Sequence, residues 1–93
     1  MRRAARKDDN EKEIVQALRD AGATVWIIEL PVDLLVGYKG HTFLMECKAS
    51  SKKRLTTLQA DFFAHWTGGT LCRVDSPEAA LMMLRVADAN PTI

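Results

Sequence analysis

The stretch VDLLVGYKGHTFLMECK, residues 32–48, constrains the fold of this chain more than any other. Its two apolar runs are joined only by glycine-bearing turn chemistry, so they predict two antiparallel strands of one hairpin. Side chains alternate across a strand, which places Phe43, Met45 and Cys47 in one apolar layer and sends Glu46 and Lys48 together from the opposite face. Asp33 lies on the partner run, so pairing brings its carboxylate towards Glu46 across thirteen residues of sequence. A carboxylate inside an apolar run is costly to bury without a partner, and that cost is the first sign of chemistry.

The rest of the chain supplies helices and two further strands. Ile14, Val15 and Leu18, with Ala17 and Ala21, recur at helical spacing from Asn10, and Gly22 ends that helix. ATVWIIEL is β-branched and aromatic and stops at Pro31, as a strand does. After the basic loop ASSKKR, Leu55, Leu58, Phe62 and Trp66 step along one helical face until Gly68 and Gly69. TLCRV is a fourth strand, and SPEAALMML opens a last helix with Ser76 as N-cap and Pro77 at its first position. The order is αβββαβα: an α/β fold with a mixed four-stranded sheet flanked by helices. Trp26, Phe62 and Trp66 are expected in the core.

Ninety-three residues make one domain, with the basic arm 1–9 and the tail 88–93 expected to be flexible. An apolar content of 47% with 27% charged residues describes a soluble globule. No apolar run approaches the roughly 20 residues of a membrane span, and MRRAARKDDNEKE lacks the apolar segment of a secretory signal. The cytoplasm is the expected compartment, and Cys47 and Cys72 are expected to be buried thiols.

Two converging carboxylates are hard oxygen ligands that suit Mg²⁺ or Mn²⁺, whereas zinc would draw on His or Cys. A neighbouring lysine can orient an attacking water and offset charge on a five-coordinate phosphorus, so the set suits phosphodiester hydrolysis. Net charge is only +1, yet Lys39, Lys48, Lys52, Lys53 and Arg54 face the single acid Glu46 between residues 39 and 54, a local balance of +4 that can contact phosphates. Each feature also has a plain structural reading. Glu46 and Lys48 alone make a same-face ion pair, Glu11 and Glu13 suit a helix start, and Thr56 with Gln59 has the spacing of a capping box. His41 and His65 have no second ligand nearby in sequence.

With its VD…ECK core, the chain resembles the PD-(D/E)XK nucleases, and over about residues 8–86 it resembles their small stand-alone VRR-NUC branch, found in bacteriophages and prophages. The matching pieces are NEKEIVQALRDAGATV, VDLLVGYKG, FLMECK, RLTTLQADFFAHWTGG and VDSPEAALMML. The resemblance implies a restriction-endonuclease-like core and a metal-dependent endonuclease acting on structured DNA such as Holliday junctions, as a homodimer in a bacterial or phage-infected cell. By it, Asp33, Glu46 and the backbone carbonyl of Cys47 bind Mg²⁺ or Mn²⁺, and Lys48 is the catalytic lysine. Glu13, or Glu11 in its place, contacts the metal through water. Gln59 matches the glutamine of LTxxQ and is implied to position a substrate phosphate or an active-site group, while the basic residues Lys39, Lys52, Lys53 and Arg54 are the expected DNA contacts from charge. One departure stands out: family members carry glycine and proline before the aspartate, whereas ELPVD inserts Val32 and lacks the glycine. The alternative function is therefore a catalytically silent nucleic-acid-binding module of the same fold.

Overall fold

The computed structural model describes the backbone of residues 4–48 and 55–89, with side chains from residue 10 onward. The elements run α1 (Ala4–Asp20), β1 (Thr24–Ile27), β2 (Leu34–Tyr38), β3 (His41–Cys47), α2 (Thr57–His65), β4 (Thr70–Val74) and α3 (Pro77–Ala89). This is the expected order αβββαβα, in one mixed four-stranded sheet. Strands β1, β2 and β3 are antiparallel neighbours, and β4 joins β3 in parallel after the crossover through α2. No helix among the described residues is long and apolar enough to cross a membrane.

Helix α1 starts at Ala4, six residues before the expected Asn10, so residues 4–9 of the basic arm have helical backbone. The segment AARKDDN has no glycine or proline, and the helix propensity of Ala4, Ala5, Arg6 and Lys7 suits the backward extension. At its other end Gly22 takes φ +100°. Its N–H donates to the Arg19 carbonyl at 3.0 Å and the Ala23 N–H to that of Leu18 at 3.0 Å, a Schellman closure. Helix α3 likewise continues to Ala89 into the expected tail, and its cap is as read, with the Ala79 N–H donating to Ser76 Oγ at 3.1 Å.

The hairpin register pairs Leu34 with Met45 and Tyr38 with His41, leaving a two-residue loop. Lys39 at φ 49° and Gly40 at φ 83° give both central residues the left-handed backbone of a type I′ turn. The pleat then separates two faces. Leu34, Val36, Phe43, Met45 and Cys47 are buried against α1 and α3, which pack on each other and contribute Ile14, Leu18, Ala80 and Leu84. The opposite face carries a row in register, Trp26, Leu35, Leu44 and Leu71.

That second face corrects the expectation for the aromatics. Trp26 is 67% exposed, because Val25 takes the core side of edge strand β1 and alternation sends its neighbour outward. Trp66 is 40% exposed and Phe62 half-buried. Their rings meet at 5.2 Å between centroids, and the Trp66 Nε1–H donates to the Gly69 carbonyl at 2.7 Å. They stack at a rim, since α2 is seated by a polar side chain instead.

Candidate active site

Asp33 sits one residue before β2, in a turn that clasps its carbonyl: the N–H groups of Ile28 and Glu29 both donate to it, at 2.8 and 3.2 Å. The additional Val32 is fully buried, so the departure ELPVD places a valine in an apolar slot and still delivers Asp33 to the hairpin. There the two carboxylates are fastened reciprocally. The Asp33 N–H donates to Glu46 Oε1 at 3.2 Å, and the Cys47 N–H donates to Asp33 Oδ2 at 2.8 Å. Asp33 is 1% and Glu46 0% exposed. Two adjacent carboxylates with almost no water contact conflict with ordinary core packing, because each charge forfeits hydration and repels the other.

Lys48 answers one of them. Its Nζ lies 3.1 Å from Glu46 Oε2 and donates to Gln59 Oε1 at 3.1 Å. The strand alternation read from sequence accounts for this: Cys47 enters the core while its two neighbours meet on the other face. Gln59 was open to two readings, and the structural one holds in full. The Gln59 N–H donates to Thr56 Oγ1 at 3.2 Å and the Thr56 N–H to Gln59 Oε1 at 3.1 Å, a capping box that starts α2. The same side chain also donates from Nε2 to Glu46 Oε2. The resemblance offered Gln59 a role towards a phosphate or an active-site group; its partners, Glu46 and Lys48, were not legible, because they lie in an element whose docking no local pattern encodes.

Burial pushes the Glu46 carboxyl above its ordinary value, the nearby Asp33 charge pushes it further, and Lys48 and the Gln59 amide pull it back in part. The folded chain therefore holds a proton that the unfolded chain releases, in the window between 4.5 and the raised value. Stability falls as pH rises through that window. Glu46→Gln should flatten this fall by up to about 1.4 kcal/mol per pH unit, the linkage of one proton. Urea unfolding of the metal-free protein at successive pH values measures it, and an unchanged slope would assign the titration to another group.

On the α1 side, one ligand atom each from Glu11, Asp33 and the Cys47 thiol lie within 4.8 Å of one another. Glu11 is thus the helix-one acid brought to Asp33, while Glu13 is exposed and outside this group. Glu46 is also outside it, held on its other partners. A pocket of about 300 Å³ lined by Glu11, Lys12, Val15, Gln16, Arg19 and Ile27 opens beside Glu11.

The remaining site expectations divide. Lys39 sits on the hairpin turn, bound to Asp88 at 2.8 Å. The five residues of β2 separate it from Asp33 by roughly 20 Å along the strand, so it does not join the carboxylates. Lys52, Lys53 and Arg54 lie outside the described residues. Arg73, not singled out from sequence, stands beside Glu46 in the β3–β4 register. His41 packs by Phe43 and His65 bonds along α2 to Asp61, both apart from the carboxylates. Both cysteines are free thiols, Cys47 buried and Cys72 half-buried, and burial pushes the Cys72 thiol up to about 11. Comparison with family models, with curated proteins and with solved structures gives no match for this chain.

Proposed function

We propose that this chain is a divalent-metal-dependent DNA endonuclease with a restriction-endonuclease-like core. It hydrolyses phosphodiester bonds in branched or structured DNA such as four-way junctions, as a homodimer in the cytoplasm of a bacterial or phage-infected cell. One observation carries the reading: two buried carboxylates, Asp33 and Glu46, are fastened to each other across a hairpin, with a lysine ammonium 3.1 Å from the second. A purely structural ion pair needs one acid. The second acid raises the electrostatic cost, and sites that keep such a cost are those in which the charge has work to do.

The donor set fits Mg²⁺ or Mn²⁺, since Asp33, Glu46 and Glu11 offer carboxylate oxygens and the acids crowd closely enough for a cation to relieve their repulsion. Asp33 and Glu46 would hold the ion, with Glu11 through water and the Cys47 carbonyl as a further oxygen. When bound, such an ion polarises a phosphate oxygen and lowers the pKa of a water. Lys48 positions the attacking water, and its fixed positive charge offsets the negative charge that builds on phosphorus. Glu46 and Gln59 keep the ammonium from swinging into solvent.

A second reading has its own observation. Glu46 is occupied by the Asp33 N–H, the Gln59 amide and Lys48, and it stands outside the Glu11, Asp33 and Cys47 group. A carboxylate so satisfied suits a silent nucleic-acid-binding module with a closed polar network. Calorimetric titration with Mn²⁺ separates the two. The endonuclease binds Mn²⁺ stoichiometrically and loses at least about tenfold in affinity in Asp33→Ala, which removes one charged ligand. It also cleaves one of four-way junction, flap, single-stranded or duplex DNA only with metal. Salt-sensitive DNA binding with neither Mn²⁺ uptake nor cleavage would instead establish the silent module.

A further inference from the structure

We infer that Gln59 is a positioning residue whose amide, oriented by the N-cap of α2, holds Glu46 and Lys48 in their working arrangement, so that the site assembles only when the first turn of α2 is formed. The inference rests on the endonuclease reading for its kinetic test, and on the chain's own contacts for the rest.

Chemistry fixes the orientation of the amide. The Thr56 N–H and the Lys48 ammonium are donors only, so both need Gln59 Oε1, and the ionised Glu46 oxygen is an acceptor that needs Nε2–H. A flipped amide would oppose like groups at all three contacts. Both polar atoms of this side chain are therefore used, at 6% exposure, and the cap and the carboxylate are bound by the same amide. Among the side chains of α2, Gln59 is the only buried one, while Leu58 and Trp66 are exposed. Apolar packing thus does little to seat the start of α2, and its buried anchor is the contact with the site.

A residue that merely caps the helix makes a different prediction from one that also positions. Glutamate serves a capping box as well as glutamine does, and its oxygen can still accept from the Thr56 N–H and from Lys48. It has no N–H for Glu46 and turns an oxygen towards that carboxylate. Gln59→Glu consequently keeps the cap and breaks the positioning. Thr56→Ala does the converse, because it deletes the Oγ1 acceptor and leaves the Thr56 N–H and the whole Gln59 side chain in place.

The test compares full-length wild type, Q59E and T56A for metal-dependent DNA cleavage and for melting temperature. Q59E, assayed where it is fully folded, is expected to lose about 100-fold in kcat with KM within about threefold, the scale of a small misplacement of reacting groups, and to melt below wild type because a third carboxylate is set beside Glu46. T56A is expected to melt roughly 5 °C lower and to cleave within about twofold of wild type. Wild-type cleavage by Q59E, or losses of activity in both variants that simply follow their losses of stability, would overturn the inference. A wild type that cleaves nothing removes the endonuclease reading alone, and acylation of lysines read by mass spectrometry then decides. With exposed Lys39 as internal reference, Lys48 should react about tenfold faster in Q59A than in wild type, having lost one of its two anchors. An unchanged ratio would show that Gln59 does not hold it.

Discussion

On the proposed endonuclease reading, Lys48→Ala is expected to lower metal-dependent DNA cleavage by about 10³-fold, the range in which a positioned proton-transfer group or a charge aimed at the transition state contributes. Its ammonium lies 3.1 Å from Glu46 Oε2 and donates to Gln59 Oε1. The same change should leave Mn²⁺ binding intact or slightly tighter, because it removes a positive charge from beside a carboxylate while sparing Asp33, Glu46 and Glu11. Lys48→Arg recovers only part of the loss: a planar guanidinium keeps the charge but cannot reproduce a compact ammonium shared between a carboxylate and an amide oxygen. Single-turnover cleavage at saturating protein, alongside Mn²⁺ calorimetry, measures both effects. Equal cleavage by wild type and Lys48→Ala would exclude a catalytic lysine, and loss of Mn²⁺ binding would assign Lys48 to holding the acids in place instead.

Phe43→Ala carries the largest expected cost in stability, about 3–5 kcal/mol for the deletion of a fully buried aromatic ring. Phe43 is on β3, an inner strand, between Val36 of β2 and Thr70 of β4, and its ring lies in the layer that α1 and α3 cover. A domain of this length has roughly 5–14 kcal/mol in total, so the variant gives up from about a fifth to all of it. Its melting temperature should fall by roughly 20 °C. Trp26→Ala is the contrast within the same sheet: a larger ring is removed, but at 67% exposure the cost should stay near 0.5 kcal/mol. Urea unfolding followed by far-ultraviolet circular dichroism checks both. A loss under about 1 kcal/mol for Phe43→Ala would mean that the apolar layer does not hold the fold together as the burial implies.

The two aromatics show where a linear reading stops. Both stand in strand-forming runs rich in apolar residues, and nothing local distinguishes them; alternation relative to a covered face does. Which face is covered depends on where α1 and α3 dock, and for the edge strand β1 that is decided by the rest of the fold. The same limit explains the helix-one acids. Glu11 and Glu13 are two residues apart, about 200° around a helix, so they point to nearly opposite sides. Only the angle at which α1 crosses the sheet selects Glu11 for Asp33.

The additional valine is a similar case. Counted along the chain, Val32 looks like a displacement of Asp33, yet in space a buried valine and a clasped Asp33 carbonyl absorb it. Gln59 goes the other way. Its capping-box spacing was legible because the box closes within four residues, whereas its bond to Glu46 spans thirteen and depends on the path from β3 to α2.

What the chain determines by itself is therefore local in range: the order αβββαβα, the type I′ hairpin, the Schellman and Ser76 ends of the helices, and the separation of Cys47 from Glu46 and Lys48 by strand alternation. These follow from backbone preferences and side-chain periods of two and 3.6 that act over a few residues. The tertiary structure alone decides which acids are buried together, which glutamate of α1 approaches them, and that one glutamine joins a helix cap to a carboxylate. Those relations arise when separate elements exclude water between them, and the cost and benefit of burying charge exist only once that exclusion is complete.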